Sequence, residues 1–203
     1  MNTLESISIS KRNIVIGGFF LVTGFWLLST FTWSWWGLFL GGVISWLLVF
    51  KQDALSAFSL PKKIWAIPLG VISYFVLGIV IGLLSKQLGF SWSANPASGK
   101  LGSLIFKIPF MLMGEELLGI GILETAKNKG LSLFYSTLLS ALIFGLMHVF
   151  VYWDGSVFST LVHVLLLQGV ARLIFNYIYL ITGKSVWGSW ITHVLVDIIA
   201  LSV

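Results

Sequence analysis

The chain reads as an all-α polytopic membrane protein, with about seven transmembrane helices in one bundle. Composition is the first reason: 58% of the 203 residues are hydrophobic and only 9% are charged, so lipid must be much of the solvent. The second is patterning, because the apolar residues fall in long runs separated by short polar breaks. The third is the placement of tryptophan, with Trp33, Trp35, Trp36, Trp153, Trp187 and Trp190 near run ends, as in an interfacial aromatic belt.

A spanning helix needs about 20 mostly apolar residues. Seven stretches qualify: Ile14–Phe31, Trp35–Phe50, Ile64–Leu84, Leu104–Leu123, Leu131–Val151, Val157–Ile181 and Val186–Leu201. Lys11 and Arg12 precede the first, and no A-x-A-like cleavage site follows it. It is therefore read as a retained helix rather than a signal peptide. A very short turn joins it to the second, which predicts an antiparallel hairpin. Loop chemistry separates the others: Ser59-Leu60-Pro61-Lys62-Lys63, Asn95-Pro96-Ala97-Ser98-Gly99-Lys100, Asn128-Lys129-Gly130, Asp154-Gly155 and Thr182-Gly183-Lys184. Gly130 and Gly183 are suited to ending helices. No internal repeat is visible, so residues 1–203 form a single transmembrane domain.

The cations set an expected orientation. With the N-terminus cytoplasmic, the inside flanks hold Lys11, Arg12, Lys51, Lys62, Lys63, Lys127, Lys129 and Lys184, and the outside loops hold only Lys86 and Lys100. Lys107 and Arg172 fall within segments. This distribution predicts a cytoplasmic N-terminus and an external C-terminus, in a plasma membrane. The net charge of +5 comes from cations scattered singly, which does not indicate a nucleic-acid partner. Cysteine is absent. That excludes disulfides, a cysteine nucleophile and thiolate metal sites.

The most informative residues are Glu115 and Glu116, side by side within an apolar stretch. A charge at the bilayer centre costs roughly 2.5–3.5 kcal/mol on insertion scales, so an intramembrane acid is a functional-site candidate. Adjacent helical residues point about 100° apart. One carboxyl can then face a water-filled site while the other meets a structural partner. Gly114, Gly119 and Gly121 flank the pair, and small residues let neighbouring helices approach.

Two further segments carry polar residues at helical spacing. Phe144 and His148 are i, i+4 and share a face, as do His193 and Asp197. An acid one turn from a histidine can fix its tautomer. His163 has no acid at i±4 and is read as structural. Gln168, Arg172 and Asn176 form a polar stripe that should face the bundle interior or a cavity. Arg172 is the available counter-charge for an intramembrane carboxylate, and a pairing with Glu116 across the bundle is expected. Glu124 and Asp154 are read as ordinary interfacial charges. There is no HExxH helix, no Gly-x-Gly-Asp motif and no GxSG-type serine site. A glutamate and histidine constellation remains, in which a glutamate can activate water and histidines can hold an oxyanion or a metal.

These residues resemble the CPBP family, the CAAX prenyl endopeptidases and bacteriocin-processing enzymes also called Abi proteins. The family motifs are EExxxR, FxxxH and HxxxN or HxxxD. Here they read Glu115-Glu116-Leu-Leu-Gly-Ile120, Phe144-Gly-Leu-Met-His148 and His193-Val-Leu-Val-Asp197. The resemblance covers roughly 104–200. It implies that Glu115 activates water with help from His148, that His193 and Asp197 bind the developing oxyanion, and that Glu116 is structural, paired to the motif arginine. Ile120 stands where that arginine belongs. The family has been described both as metalloproteases and as metal-free enzymes. A divalent metal such as zinc would use Glu115, His148 and His193.

The expected function is intramembrane endoproteolysis of a peptide precursor or a membrane-associated protein segment, such as a bacteriocin leader. Two alternatives stay open. Ile120 favours a catalytically weak relative that acts as a membrane binding or immunity protein. Buried Glu, His and Arg would also suit a small proton-coupled transporter, although inverted repeats and broken helices are not evident.

Overall fold

A computed structural model describes Leu4 and residues 7–202. Among the described residues the chain is helical and has no strand. The extreme ends of the expected 1–203 unit lie outside them.

The order is α1 (Lys11–Thr30), α2 (Gly37–Phe50) continued by a 3-10 stretch (Lys51–Phe58), α3 (Ala66–Gln87), a short α4 (Leu101–Leu104), α5 (Ile108–Asn128), α6 (Leu133–Met147), α7 (Val157–Val164), a π-helical stretch (Leu165–Gly169), α8 (Val170–Ile181) and α9 (Val186–Ser202). Four helical stretches are long and apolar enough to cross a membrane: Lys11–Thr30, Gly37–Phe58, Ala66–Gln87 and Val157–Ile181. Leu133–Met147 and Val186–Ser202 are shorter apolar helices. The protein is an integral membrane protein. Each of the seven expected stretches lies on helix, but they do not all have the length of a full span.

The α1–α2 hairpin is held by backbone contact. A Cβ at Gly24 would lie 2.5 Å from the Gly37 carbonyl oxygen, and one at Gly41 would lie 2.5 Å from that of Phe20. This register is antiparallel, and only small residues permit it. α2 in turn lies against α5 at Gly114, where a Cβ would sit 2.7 Å from the Phe39 backbone nitrogen. α5 is the central helix. Its apolar face packs Leu117, Ile120 and Leu123 with Trp46, Phe50, Tyr179 and Val186.

Three boundaries depart from the sequence reading, each for a local reason. α5 begins at Ile108 with Pro109 in its first turn, where proline's missing N–H costs nothing. It runs on to Asn128 because Glu124 is inside the bundle rather than at the interface: it is 1% exposed and accepts the Tyr179 hydroxyl at 2.9 Å. α6 ends at Met147 instead of reaching Val151. The Val157–Ile181 stretch is interrupted by its π-helical turn, a feature often found at functional sites. These shifts set the depth of the polar residues. Glu115 lies in the second turn of α5, His148 just past α6, His193 near the middle of α9 and Asp197 one turn further on.

The 15 residues of α6 extend about 22 Å at 1.5 Å each, short of the ~30 Å hydrocarbon thickness. Irregular backbone at membrane depth is tolerated where it is buried in protein or lines a water-filled cavity. In residues 148–152 the backbone is of this kind, and His148, Phe150, Val151 and Tyr152 line the cavity described below.

Candidate active site

Glu115, His148, His193 and Asp197 line one cavity of about 940 Å3. Glu116 and Arg172 are fully buried behind it. The 100° step between adjacent residues on α5 divides the two glutamates. Glu115 faces the cavity with its side chain 17% exposed, and Glu116 faces α8 and α9.

Glu116 is held by four donors. Arg172 gives Nη1 to Oε1 at 2.8 Å and Nη2 to Oε2 at 3.0 Å. His193 gives Nδ1 to Oε1 at 2.9 Å. Ser189 Oγ forms a short contact to Oε2 and also accepts from Arg172 Nη2 at 3.2 Å. A carboxylate has about four acceptor sites, so this one is satisfied without water. The guanidinium also lies over the rings of Phe144 and Phe175, at 5.6 and 5.4 Å from their centroids, where cation–π attraction adds to the pair.

Arg172 reaches Glu116 through a gap in α5. A Cβ at position 119 would lie 2.7 Å from Arg172 Nη1 and 2.8 Å from its Cδ. Gly119 therefore makes the space. Ile120, in the position of the motif arginine, is completely buried in the apolar core. Glu116 takes its bidentate partner from α8 and not from its own helix.

This pairing orients His193. Its Nδ1 is taken by Glu116, and its ring stacks on Phe175 at 4.2 Å. Nε2 is left for the cavity, 3.9 Å from Glu115 Oε2 and 3.8 Å from Asp197 Oδ1. Those separations are too long for direct hydrogen bonds and leave Nε2 available to a third group. His148 is oriented by its own helix. Its Nδ1 donates to the Phe144 carbonyl at 2.8 Å, which explains the i, i+4 spacing and leaves Nε2 free for the cavity. Among the described residues, no group of three His, Asp or Glu side chains gathers as metal ligands. Glu115, His148 and His193 as placed do not fit a resident ion.

The remaining polar residues divide. His163 is 2% exposed, stacked on Trp92 at 4.7 Å and 1°, with Tyr152 edge-on at 4.7 Å. It also borders the cavity, so it is more than a core residue. Tyr152 and Gln168 line the same cavity. Sequence reasoning had no signal for Trp92 or Tyr152, because their contacts join distant loops. Asn176, next on the polar stripe, is fully buried away from the cavity. Trp187 and Trp190 donate to the carbonyls of Phe58 at 2.9 Å and Pro109 at 2.8 Å, so they pack the bundle as well as marking a helix end.

The described fold is an all-helical membrane bundle with acid and histidine side chains around one internal cavity. Residues 97–199 match the family model of the Rce1-like type II CAAX prenyl endopeptidases, and the chain belongs to that family, within the CPBP proteases. No curated protein and no solved structure matches the chain.

Proposed function

We propose that this protein is an intramembrane endopeptidase that hydrolyses a peptide bond with water activated by Glu115. One observation carries the reading: the four cavity-facing groups Glu115, His148, His193 and Asp197 converge on a single cavity, while Glu116, fully buried, positions one of them. Seven membrane segments, with a cytoplasmic N-terminus and an external C-terminus, complete the proposed architecture.

In the proposed reaction, Glu115 takes a proton from water as the oxygen bonds to the substrate carbonyl carbon. The carbonyl oxygen becomes an oxyanion. His193, with protons on both nitrogens, donates Nε2–H to it, as in other oxyanion sites. The C–N bond then breaks, and the proton held by Glu115 passes to the leaving nitrogen. His148 accepts through Nε2 and aligns the water. Glu116 is a positioning residue that accepts from His193 Nδ1–H and so fixes the orientation of the ring. Asp197, as a carboxylate, cannot donate to an oxyanion; its part is to sit beside His193 and favour the charged ring.

Peptide release by purified protein tests this directly. Glu115→Gln keeps the shape and removes the base, so turnover should fall at least about 10²-fold. Turnover at the wild-type rate would reject the assignment. Asp197→Asn supplies the amide of the HxxxN motif and an N–H donor, so activity should stay within about tenfold, or ~1.4 kcal/mol in barrier. Asp197→Leu should lose more. A chelator should leave the activity unchanged, since no step here runs through an ion.

The alternative of a catalytically weak relative rested on Ile120. The pairing of Glu116 with Arg172 of α8 supports the active reading instead.

A further inference from the structure

The cavity and the surface cations lie at opposite ends of the bundle. At one end, Asn128 donates to the Ile7 carbonyl at 2.7 Å and Lys129 to that of Ile9. At the same end, Ser185 donates to the Ser59 carbonyl at 2.6 Å and the Lys62 amide to Thr182 O at 2.8 Å. The N-terminal segment, the 51–63 connection and the turns after α5 and α8 thus meet there. They carry Lys11, Arg12, Lys51, Lys62, Lys63, Lys127, Lys129 and Lys184. The other end carries Lys86, Lys100 and Lys107, and Arg172 is in the interior.

The cavity runs from the cation-poor end to the middle of the bundle, where Tyr74 and His193 line it. The loop residues Ser93 and Asn95 border it, as do Phe150 past α6 and Leu201 near the end of α9. Its side wall includes Val22 and Trp26 of α1, which are 69% and 55% exposed. α1 packs on α2, so its outer half stands between the cavity and the lipid. The cavity is therefore reached from the cation-poor end, and laterally from the leaflet at that end.

Short loops rich in Lys and Arg remain cytoplasmic. We infer that the catalytic cavity opens on the non-cytoplasmic side of the membrane. Its substrate is then a peptide segment already translocated, or the outer juxtamembrane segment of a membrane protein. The C-terminus of a cytosolic protein would be on the wrong side. This rests on the proteolytic reading for the word substrate, but the accessible face does not depend on catalysis.

The absence of native cysteine makes the test direct. Ala94→Cys stands at the cavity mouth and Leu60→Cys at the cation-rich end, both exposed. A membrane-impermeant maleimide is applied to intact cells and again after permeabilisation. Position 94 should label fully before permeabilisation and position 60 only after it. Ser93→Cys and Lys63→Cys form a second pair should either first variant fail to accumulate. The reverse pattern, or equal labelling of both ends in intact cells, overturns the inference. Loss of the Glu115→Gln effect would instead overturn the proteolytic reading and leave the labelling result standing, so the two failures are distinguishable.

Discussion

Glu116 and Glu124 lie two turns apart on α5, and both are buried, at 0% and 1% exposure. Their surroundings differ in kind. Glu116 is enclosed by Arg172, Ser189 and His193, and its network ends on a ring that faces the cavity. Glu124 is near the cation-rich end, with the Tyr179 hydroxyl at 2.9 Å and Lys184 at 3.5 Å. Lys184 is 22% exposed, so this second network ends toward water and touches no cavity-facing group described for the site. Burial of an acid in a membrane helix raises the prior for function. The pair teaches that burial is not sufficient: what matters is where the hydrogen-bonded chain leads.

The largest expected effect comes from breaking the first network. Removing one member of a buried pair typically costs about 3–5 kcal/mol, because the other charge is left unpaired. Arg172→Leu should lower the melting temperature in detergent sharply and release His193 from its fixed orientation, so peptide release should fall as well. Glu116→Gln in the same background should recover part of the stability. Recovery of stability without recovery of activity would show that Glu116 positions His193. Additive losses in a double-mutant cycle would show that the two residues are not energetically coupled.

The second network should matter less. Glu124→Gln keeps an acceptor for Tyr179 and loses the pair with the partly exposed Lys184, where solvent weakens the attraction. A cost of about 1–3 kcal/mol is expected from disturbing a buried hydrogen bond. Peptide release should match wild type once the protein is folded. A fall in turnover comparable to that of Glu115→Gln would erase the distinction between the two acids.

Most of the helical layout is legible in the sequence because hydropathy and loop residues act locally. The apolar runs locate the helices, and Gly130 and Gly183 end them with φ of 95° and 83°. The i, i+4 pairs are legible for the same reason, since helix geometry alone puts Phe144 under His148. Charge balance points to Arg172 as a partner for Glu116, because a buried cation needs an acid. How the two meet is not legible. It depends on Gly119 being small at the one place where the guanidinium crosses α5. Glu124 misleads because a glutamate near the end of an apolar run resembles an interfacial charge, and only the fold brings Tyr179 to it. The Trp92–His163 stack joins a loop to α7 and has no periodic signature.

A third acid extends the comparison to water and carries the smallest expected effect. Asp154 lies in the turn before α7, outside the membrane-spanning segments. It accepts from Ser159 Oγ at 2.5 Å, the Ser156 amide at 3.0 Å and Thr160 Oγ1 at 2.9 Å. These donors, Ser159 first, hold its carboxyl below its ordinary value of 3.8. A carboxyl depressed in the folded state contributes stability above its unfolded value and loses it as pH falls through the folded one. Asp154→Ala should therefore lower the melting temperature slightly at neutral pH, and the gap to wild type should close as pH drops below about 3.8. Glu116 has four donors to the three of Asp154 but no solvent to replace them, so Arg172→Leu should cost far more than Asp154→Ala at neutral pH. If Asp154→Ala costs as much as Arg172→Leu at neutral pH, donor count rather than burial sets the energy of these networks.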